Sequence, residues 1–148
     1  MKNVTLYTDG ACSGNPGAGG YAAILIYKGM EKIISGGEKE TTNNRMELLA
    51  IIEGLNALKE PCEVEVYSDS QYVIDAFNKN WIIDWQARGW KTSDKKEVKN
   101  KYLWVRLLSL LDVHKVKFIK VKGHSDNEFN NRCDKIAKEE YKKLFQIL

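Results

Sequence analysis

The hydrophobic pattern of this chain changes its period near residue 43, and this change constrains the fold more than any other feature. Before it, residues 4–9 alternate as a half-buried strand does, residues 21–27 are continuously apolar, and residues 32–39 form a third strand-like stretch. Residues 10–20 contain five glycines and a proline, which favours a tight turn. We therefore predict an antiparallel meander of three strands.

After this point the apolar residues recur at helical spacing over residues 43–58, and strands and helices then alternate. The further predicted elements are a strand at 63–69, a helix from residue 70, a helix at 102–111, a strand at 116–121 and a helix at 130–148. Residues 81–101 are rich in tryptophan and then basic, with weaker periodicity. This order predicts one α/β domain over residues 1–148, with a mixed sheet and helices on both faces.

Composition excludes several classes of protein. No apolar run approaches the ~20 residues that span a bilayer, and the N-terminal residues lack the apolar core of a signal peptide. Cys12, Cys62 and Cys133 are odd in number and far apart, which argues against a disulfide framework and against a zinc site. We expect a cytoplasmic protein without membrane attachment, and a monomer.

Positive charge is concentrated in one segment. Residues 86–101 carry six cations and two anions, a net charge of +4, whereas the whole chain carries +3. The cations are Arg88, Lys91, Lys95, Lys96, Lys99 and Lys101. A solvated helix face is the ordinary explanation of such a run, but its segregation favours contact with a polyanion.

Four acids occupy suggestive places in the predicted elements. Asp9 and Asp69 end the first and fourth strands, and Glu47 and Asp134 border the buried stripes of two helices. Carboxylates brought together in this way repel one another unless a cation binds. A hard divalent ion such as Mg²⁺ prefers oxygen ligands, so these acids are candidate metal ligands.

Each acid also has a structural explanation. Glu47 and Asn44 have capping-box spacing, Asp69 suits a helix cap, Asp9 precedes a glycine and suits a turn, and Asp134 suits a solvated helix face. Taken singly, each acid favours its structural explanation. The motifs around the acids are what favour a shared function.

These motifs occur in a fixed order along most of the chain. They are Tyr-Thr-Asp-Gly-Ala-Cys-Ser-Gly-Asn-Pro-Gly at 7–17, Thr-Thr-Asn-Asn-Arg-Met-Glu at 41–47, Tyr-Ser-Asp-Ser-Gln-Tyr-Val at 67–73, Val-Lys-Gly-His at 121–124 and Asn-Arg-Cys-Asp at 131–134. The combination resembles bacterial type 1 ribonuclease H. The resemblance implies a five-stranded mixed sheet, a three-strand meander plus two parallel strands. It also implies endonucleolytic cleavage of the RNA strand of RNA–DNA hybrids, leaving 5′-phosphate and 3′-hydroxyl ends.

The resemblance also assigns roles to the acids. Asp9 would bridge two Mg²⁺ ions, with Mn²⁺ as a possible substitute, and Asp134 would help hold the ion that activates water. Glu47 and Asp69 would help hold the ion at the leaving 3′ oxygen, and Glu47 would also sense a ribose 2′-hydroxyl. His124 would shuttle protons or assist product release. The loop that follows it, at 125–129, lacks the family's usual proline and has extra acid, which bears on loop mobility and rate.

Substrate-binding residues follow from the same resemblance. Short polar side chains suit the wide minor groove of a hybrid, where 2′-hydroxyls are displayed. The positions that match are Cys12, Asn15, Asn43, Asn44 and Gln71. Thr42 and Asn100, with Asn15 and Arg45 nearby, match or adjoin a pocket for a DNA phosphate. Asn15 and Asn43 are also ordinary turn residues.

All four tryptophans lie between positions 81 and 104. Residues 81–91 resemble the family's basic protrusion, or handle, which we place at about 81–101. We predict core packing for Trp90 and Trp104 and a mixed role for Trp81 and Trp85. The handle cations Arg88, Lys91, Lys95, Lys96 and Lys99 would contact the DNA backbone.

Three alternatives remain open at this point. The first is a hybrid-binding module without catalysis. The second is another nuclease of the same superfamily, such as a resolvase, or a ribonuclease H module of a reverse transcriptase. The third is a structural protein. The retained carboxylates argue against the first and third. The basic handle and the start at Met1 favour a cellular enzyme over a reverse transcriptase module.

Overall fold

The computed structural model describes residues 1–122 and 127–146, and over these residues it contains five strands and five helices. In chain order they are β1 (Lys2–Cys12), β2 (Gly17–Tyr27), β3 (Met30–Thr41), α1 (Asn43–Asn56), β4 (Cys62–Ser68), α2 (Gln71–Asn78), α3 (Trp81–Ala87), α4 (Lys101–Val113), β5 (Lys115–Lys120) and α5 (Glu128–Gln146). The predicted order of strands and helices is confirmed.

One mixed sheet joins the strands in the order β3-β2-β1-β4-β5. The β1–β2 and β2–β3 pairs are antiparallel, and the β1–β4 and β4–β5 pairs are parallel. This is the predicted meander plus two parallel strands. Among the described helices, none is long and apolar enough to cross a membrane.

The glycine-rich stretch differs from the prediction, because most of it is strand rather than turn. β1 continues to Cys12, which pairs with Gly19 of β2. The backbone of α5 comes so close to β2 that a Cβ atom on Gly20 would clash with the Ala137 carbonyl oxygen. Glycine at position 20 therefore serves this close approach of helix and strand.

The two faces of the sheet bury separate cores. On one face, Leu6 and Leu25 of the sheet pack with Ile51 of α1 and Trp104 of α4. On the other face, α5 covers a smaller core. Helices on both faces confirm the predicted α/β architecture.

Cys133 lies at the centre of the α5 core and is fully buried. Its thiol donates a weak hydrogen bond to the Tyr7 carbonyl oxygen at 3.5 Å. Burial raises the pKa of this thiol to about 12, and the nearby charge of Asp9 acts in the same direction. Cys133 is therefore a small packing residue in the native state.

The tryptophans form one aromatic cluster at the edge of the larger core. Trp104 is fully buried, and Trp85 packs against both Trp104 and Trp90, with ring centroids 5.5 and 6.2 Å apart. Trp81 in turn lies 6.2 Å from Trp85. Core packing of Trp104 is as expected, and Trp81, Trp85 and Trp90 are half-buried against it.

His114 connects the end of α4 to the start of β4. It is buried, and its Nδ1 atom accepts a hydrogen bond from the Cys62 backbone N–H at 3.1 Å. Burial lowers the pKa of His114 below its ordinary value. The native state therefore favours neutral His114, which keeps Nδ1 free to accept.

This lowered pKa predicts a loss of stability in mild acid. In the unfolded chain His114 binds a proton at a pH of about 6.5, so its contribution to stability is complete above that pH. It is lost as pH falls towards the lower native pKa. Replacing His114 by Asn keeps an acceptor but removes the titration. Urea unfolding at several pH values should show a smaller decline in stability below pH ~6.5 for this variant. Identical pH profiles would contradict the assignment.

Candidate active site

A cavity of about 390 Å³ opens beyond the end of β4. Acids and amides dominate its lining. The lining residues are Asp9, Gly10, Asn43, Asn44, Glu47, Asp69, Ser70, Gln71, Tyr72, Asn130, Asn131 and Asp134. All four predicted carboxylates therefore face one space.

The parallel pairing of β1 and β4 brings two of these acids together. The pairing ends at Tyr7 and Tyr67, and Asp69 directly follows β4. The prediction that Asp9 ends β1 is wrong, because the strand continues to Cys12. Asp9 lies on the part of β1 that extends past its pairing with β4.

Gly10 joins the first two carboxylates. Its backbone N–H donates to Asp9 Oδ1 at 2.9 Å and to Glu47 Oε1 at 3.1 Å. A Cβ atom on residue 10 would lie 2.6 Å from the Glu47 nitrogen, because α1 rests directly on β1 at this point. Glycine therefore follows Asp9 to admit the helix, and the turn explanation of Asp9 is wrong.

The capping-box explanation of Glu47 is also wrong. The N-cap of α1 is Thr42, whose side chain accepts from the Arg45 N–H. Glu47 begins the second turn rather than lying in the first, and it is 3% exposed. Its Oε2 atom is buried and has no hydrogen-bond partner among the described residues. A buried carboxylate oxygen of this kind calls for an additional ligand.

Asp9, Glu47 and Asp69 converge most closely. Each offers a carboxylate oxygen, and these oxygens lie within 4.8 Å of one another. Asp134 lines the same cavity at a more open position, where its side chain is 39% exposed and forms an ion pair with Lys138 at 3.0 Å. The acids thus form a close group of three, in which Asp9 and Glu47 are buried and Asp69 is half-buried, with a fourth at the margin.

Electrostatics in this cluster oppose ionisation. Burial, followed by the charges of Asp69 and Asp134, raises the pKa of Asp9 to about 8. Burial and the charges of Asp9 and Asp69 raise the pKa of Glu47 well above its ordinary value. A divalent cation among these oxygens would remove both penalties. The donor set, made of carboxylate oxygens alone, fits a hard ion.

The predicted minor-groove residues lie in or beside the cavity. Asn43, Asn44 and Gln71 line it. Asn15 accepts from the Asn43 backbone N–H at 3.3 Å, so it adjoins that lining. The thiol of Cys12 is half-buried on β1 and lies within hydrogen-bond distance of the Gly14 and Gly17 carbonyl oxygens, to one of which it donates.

Gln71 has two partners that fix the orientation of its amide. Its Nε2 donates to Asp75 at 2.6 Å, and its Oε1 accepts from the Lys120 ammonium group. Lys120 ends β5 beside the cavity and did not emerge from the sequence as a site residue.

Two residues of the predicted phosphate pocket, Arg45 and Asn100, have side-chain partners within the protein. Arg45 makes a two-point ion pair with Glu38, with distances of 2.6 and 3.1 Å. Asn100 donates to the Tyr72 hydroxyl at 3.4 Å, and Tyr72 lines the cavity. Thr42 and Asn100 therefore lie near the cavity without lining it.

The predicted handle, at about 81–101, consists of α3 and the exposed loop that follows it. Lys91 and Glu97 form a backbone bridge, and the Thr92 N–H donates to the Lys96 carbonyl oxygen at 2.8 Å, which closes the loop. The five predicted contact cations are exposed, and among the described residues none of them forms an ion pair within 4 Å. These cations are Arg88, Lys91, Lys95, Lys96 and Lys99.

A family profile described as RNase H matches residues 1–142 of this chain. The chain belongs to the RNase H family. The ribonuclease H of Acetivibrio thermocellus is 63% identical over 97% of both chains, and that of Caldicellulosiruptor saccharolyticus is 62% identical over 97% of this chain and 99% of its own. These relatives confirm the recognition of bacterial type 1 ribonuclease H and the prediction of a ribonuclease H enzyme.

Solved structures of the family share the fold. LC9-RNase H1, a type 1 RNase H with the type 2 active-site motif, is 27% identical with a TM-score of 0.85, over 97% of this chain and 74% of its own. LC11-RNase H1 in complex with RNA/DNA hybrid is 24% identical with a TM-score of 0.74, over 96% of this chain and 99% of its own.

Some lining residues were missed by sequence reasoning. Asn130 precedes Asp134 by four positions on α5, so the two lie on one helix face. That spacing was a usable signal. Ser70 is the N-cap of α2 and follows Asp69 directly, which places it in the cavity. His124 lies outside the described residues, so its role stays a prediction.

The raised pKa of Asp9 predicts an unusual pH dependence without metal. The native carboxyl holds its proton up to a pH of about 8, whereas the unfolded one releases it near 3.9. The stability from this proton is complete below pH ~4 and is lost as pH rises through the native pKa. Replacing Asp9 by Asn should raise the free energy of unfolding at pH ~8 by roughly 1–3 kcal/mol.

Urea unfolding in a chelator checks this prediction, with Asp112→Asn, an exposed acid on α4, as the control. If the control gains as much stability as Asp9→Asn, the effect comes from net charge and the cluster is not its source.

Proposed function

We propose that this protein hydrolyses the RNA strand of RNA–DNA hybrids endonucleolytically, leaving 5′-phosphate and 3′-hydroxyl ends. The observation that carries the proposal is the convergence of Asp9, Glu47 and Asp69, two of which are almost wholly buried. Burying like charges together destabilises a fold, so their presence at one point favours function over structure. The known ribonuclease H relatives support the substrate class.

The four carboxylates would hold two Mg²⁺ ions. When bound, the ions supply an activated water and stabilise the leaving oxygen of the phosphodiester. Asp9 lies at the centre of the four acids. It shares the Gly10 N–H with Glu47, and the charges of Asp69 and Asp134 raise its pKa. This position supports its role as the shared ligand. We retain a proton-transfer or product-release role for His124.

Two sets of polar groups would recognise the hybrid. Asn43, Asn44 and Gln71 line the cavity and would meet 2′-hydroxyls of the RNA strand. Cys12 and Asn15 would extend this contact, and Thr42 and Asn100 would hold a DNA phosphate. The LC11 relative, which shares the fold, is in complex with RNA/DNA hybrid, and this supports a hybrid as the ligand.

The exposed loop of the handle would add contacts to the DNA backbone through its cations. Trp81 and Trp85 would have a mixed role, in which they pack in the aromatic cluster and also contact the substrate. We further propose that the protein is a cytoplasmic monomer. The three cysteines are free, which suits a reducing compartment, and the carboxylate cavity forms within one chain.

Cleavage of labelled nucleic acids tests the proposal. With Mg²⁺, the protein should cut the hybrid in preference to duplex RNA, duplex DNA and single strands. Asp9→Asn should lose more than about 100-fold in rate, because it removes the shared ligand. Asp112→Asn is the matched control and should cut normally. Equal cutting by the Asp9 variant, or preference for duplex DNA, would overturn the proposal.

Salt dependence tests the handle. Replacing Lys95 and Lys96 by Ala should flatten the plot of log affinity against log salt by up to ~0.9 for each DNA phosphate that the variant no longer neutralises. The control replaces Lys59 and Lys142 by Ala, which removes the same charge from exposed positions outside the handle. If both double variants change the slope equally, the effect is one of net charge and the handle has no special contact.

A further inference from the structure

Four side chains stack in one column beside the carboxylates. The Tyr7 ring lies between Tyr67 and Phe129, with centroid distances of 4.7 and 5.0 Å and interplanar angles of 17° and 24°. The Arg132 guanidinium lies 5.5 Å from the Phe129 centroid and forms a two-point ion pair with Glu31. The column thus joins β4, β1, α5 and β3.

Each aromatic ring lies close in sequence to a carboxylate of the site. The pairs are Tyr7 with Asp9, Tyr67 with Asp69, and Phe129 with Asp134. On β1, residues two apart lie on the same face, so the Tyr7 ring is directly below the Asp9 side chain along the strand. The column therefore connects the three elements that must keep their carboxylates in register.

The start of α5 is held by this column and by Asn127, whose side-chain oxygen accepts from the Asn130 N–H at 3.0 Å. Phe129 lies in the first turn, where a helix lacks part of its own hydrogen bonding, and side-chain contacts decide how that turn is placed. The main contacts of α5 with the core come later, at Cys133 and Ala137. Stacking of Phe129 on Tyr7 fixes the end of the helix that presents Asp134.

We propose that Phe129 is a positioning residue, which holds the start of α5 against β1 and so keeps Asp134 beside the buried carboxylates for metal binding. This inference rests on the proposed function. Phe129 itself is not among the described residues that line the cavity. Removal of the stack would leave Asp9, Glu47 and Asp69 in place and would displace Asp134.

Binding of Mn²⁺ alone, measured by calorimetry, tests the inference without nucleic acid. Phe129→Leu keeps an apolar side chain but removes the ring, and should weaken Mn²⁺ binding about 10-fold. On hybrid, its kcat should fall while KM changes less than about twofold, since the substrate-binding residues are untouched. Phe129→Tyr keeps the stack and should restore both values.

Phe145→Leu is the control, because this ring is on the same helix but far from the site and is 54% exposed. Unchanged Mn²⁺ affinity in folded Phe129→Leu, or an equal loss in Phe145→Leu, overturns the inference. If Phe129→Leu does not fold, Tyr7→Leu removes the ring on which Phe129 stacks, and normal Mn²⁺ affinity in that folded variant also overturns the inference. A wild-type protein that binds Mn²⁺ but cuts no hybrid refutes the proposed function alone, and the Phe129 comparison then still decides the inference.

Discussion

The sharing of one backbone N–H by two buried carboxylates governs the arrangement of this molecule. Gly10 donates to both Asp9 and Glu47, and it can do so because α1 rests on β1 with no side chain between them. A single neutral donor compensates only part of the repulsion and desolvation of two acids. The two hydrophobic cores hold this unfavourable arrangement in place, and a divalent cation would complete it.

The types and order of the elements were predictable from sequence because they depend on local periodicity. The residues at which the elements begin and end were less predictable. The glycine stretch 10–20 looked like a turn, yet Gly10 and Gly20 serve close approaches by α1 and α5 from distant parts of the chain. No local pattern contains that information, so β1 and β2 were predicted too short.

The candidate site was predictable in its residues and not in its geometry. Motifs identified the four acids. The local explanations of Glu47 as a cap residue and of Asp9 as a turn residue fail, because both accept from the Gly10 N–H, and Gly10 lies 37 positions before Glu47 in the chain. Likewise, the Arg45 ion pair with Glu38 and the amide orientation of Gln71 depend on side chains from other strands and helices. The concentration of positive charge in the handle was predictable from sequence, because its cations are close together in the chain and are not brought together by folding.

Cys133 gives this fold a built-in reporter of its internal motion. Thiol reagents attack the thiolate, and a buried thiol with a pKa of about 12 scarcely forms one. Its labelling therefore requires α5 to detach from the sheet, an opening that also separates Asp134 from Asp9. The labelling rate at Cys133 then measures how often Asp9 and Asp134 come apart in the native ensemble.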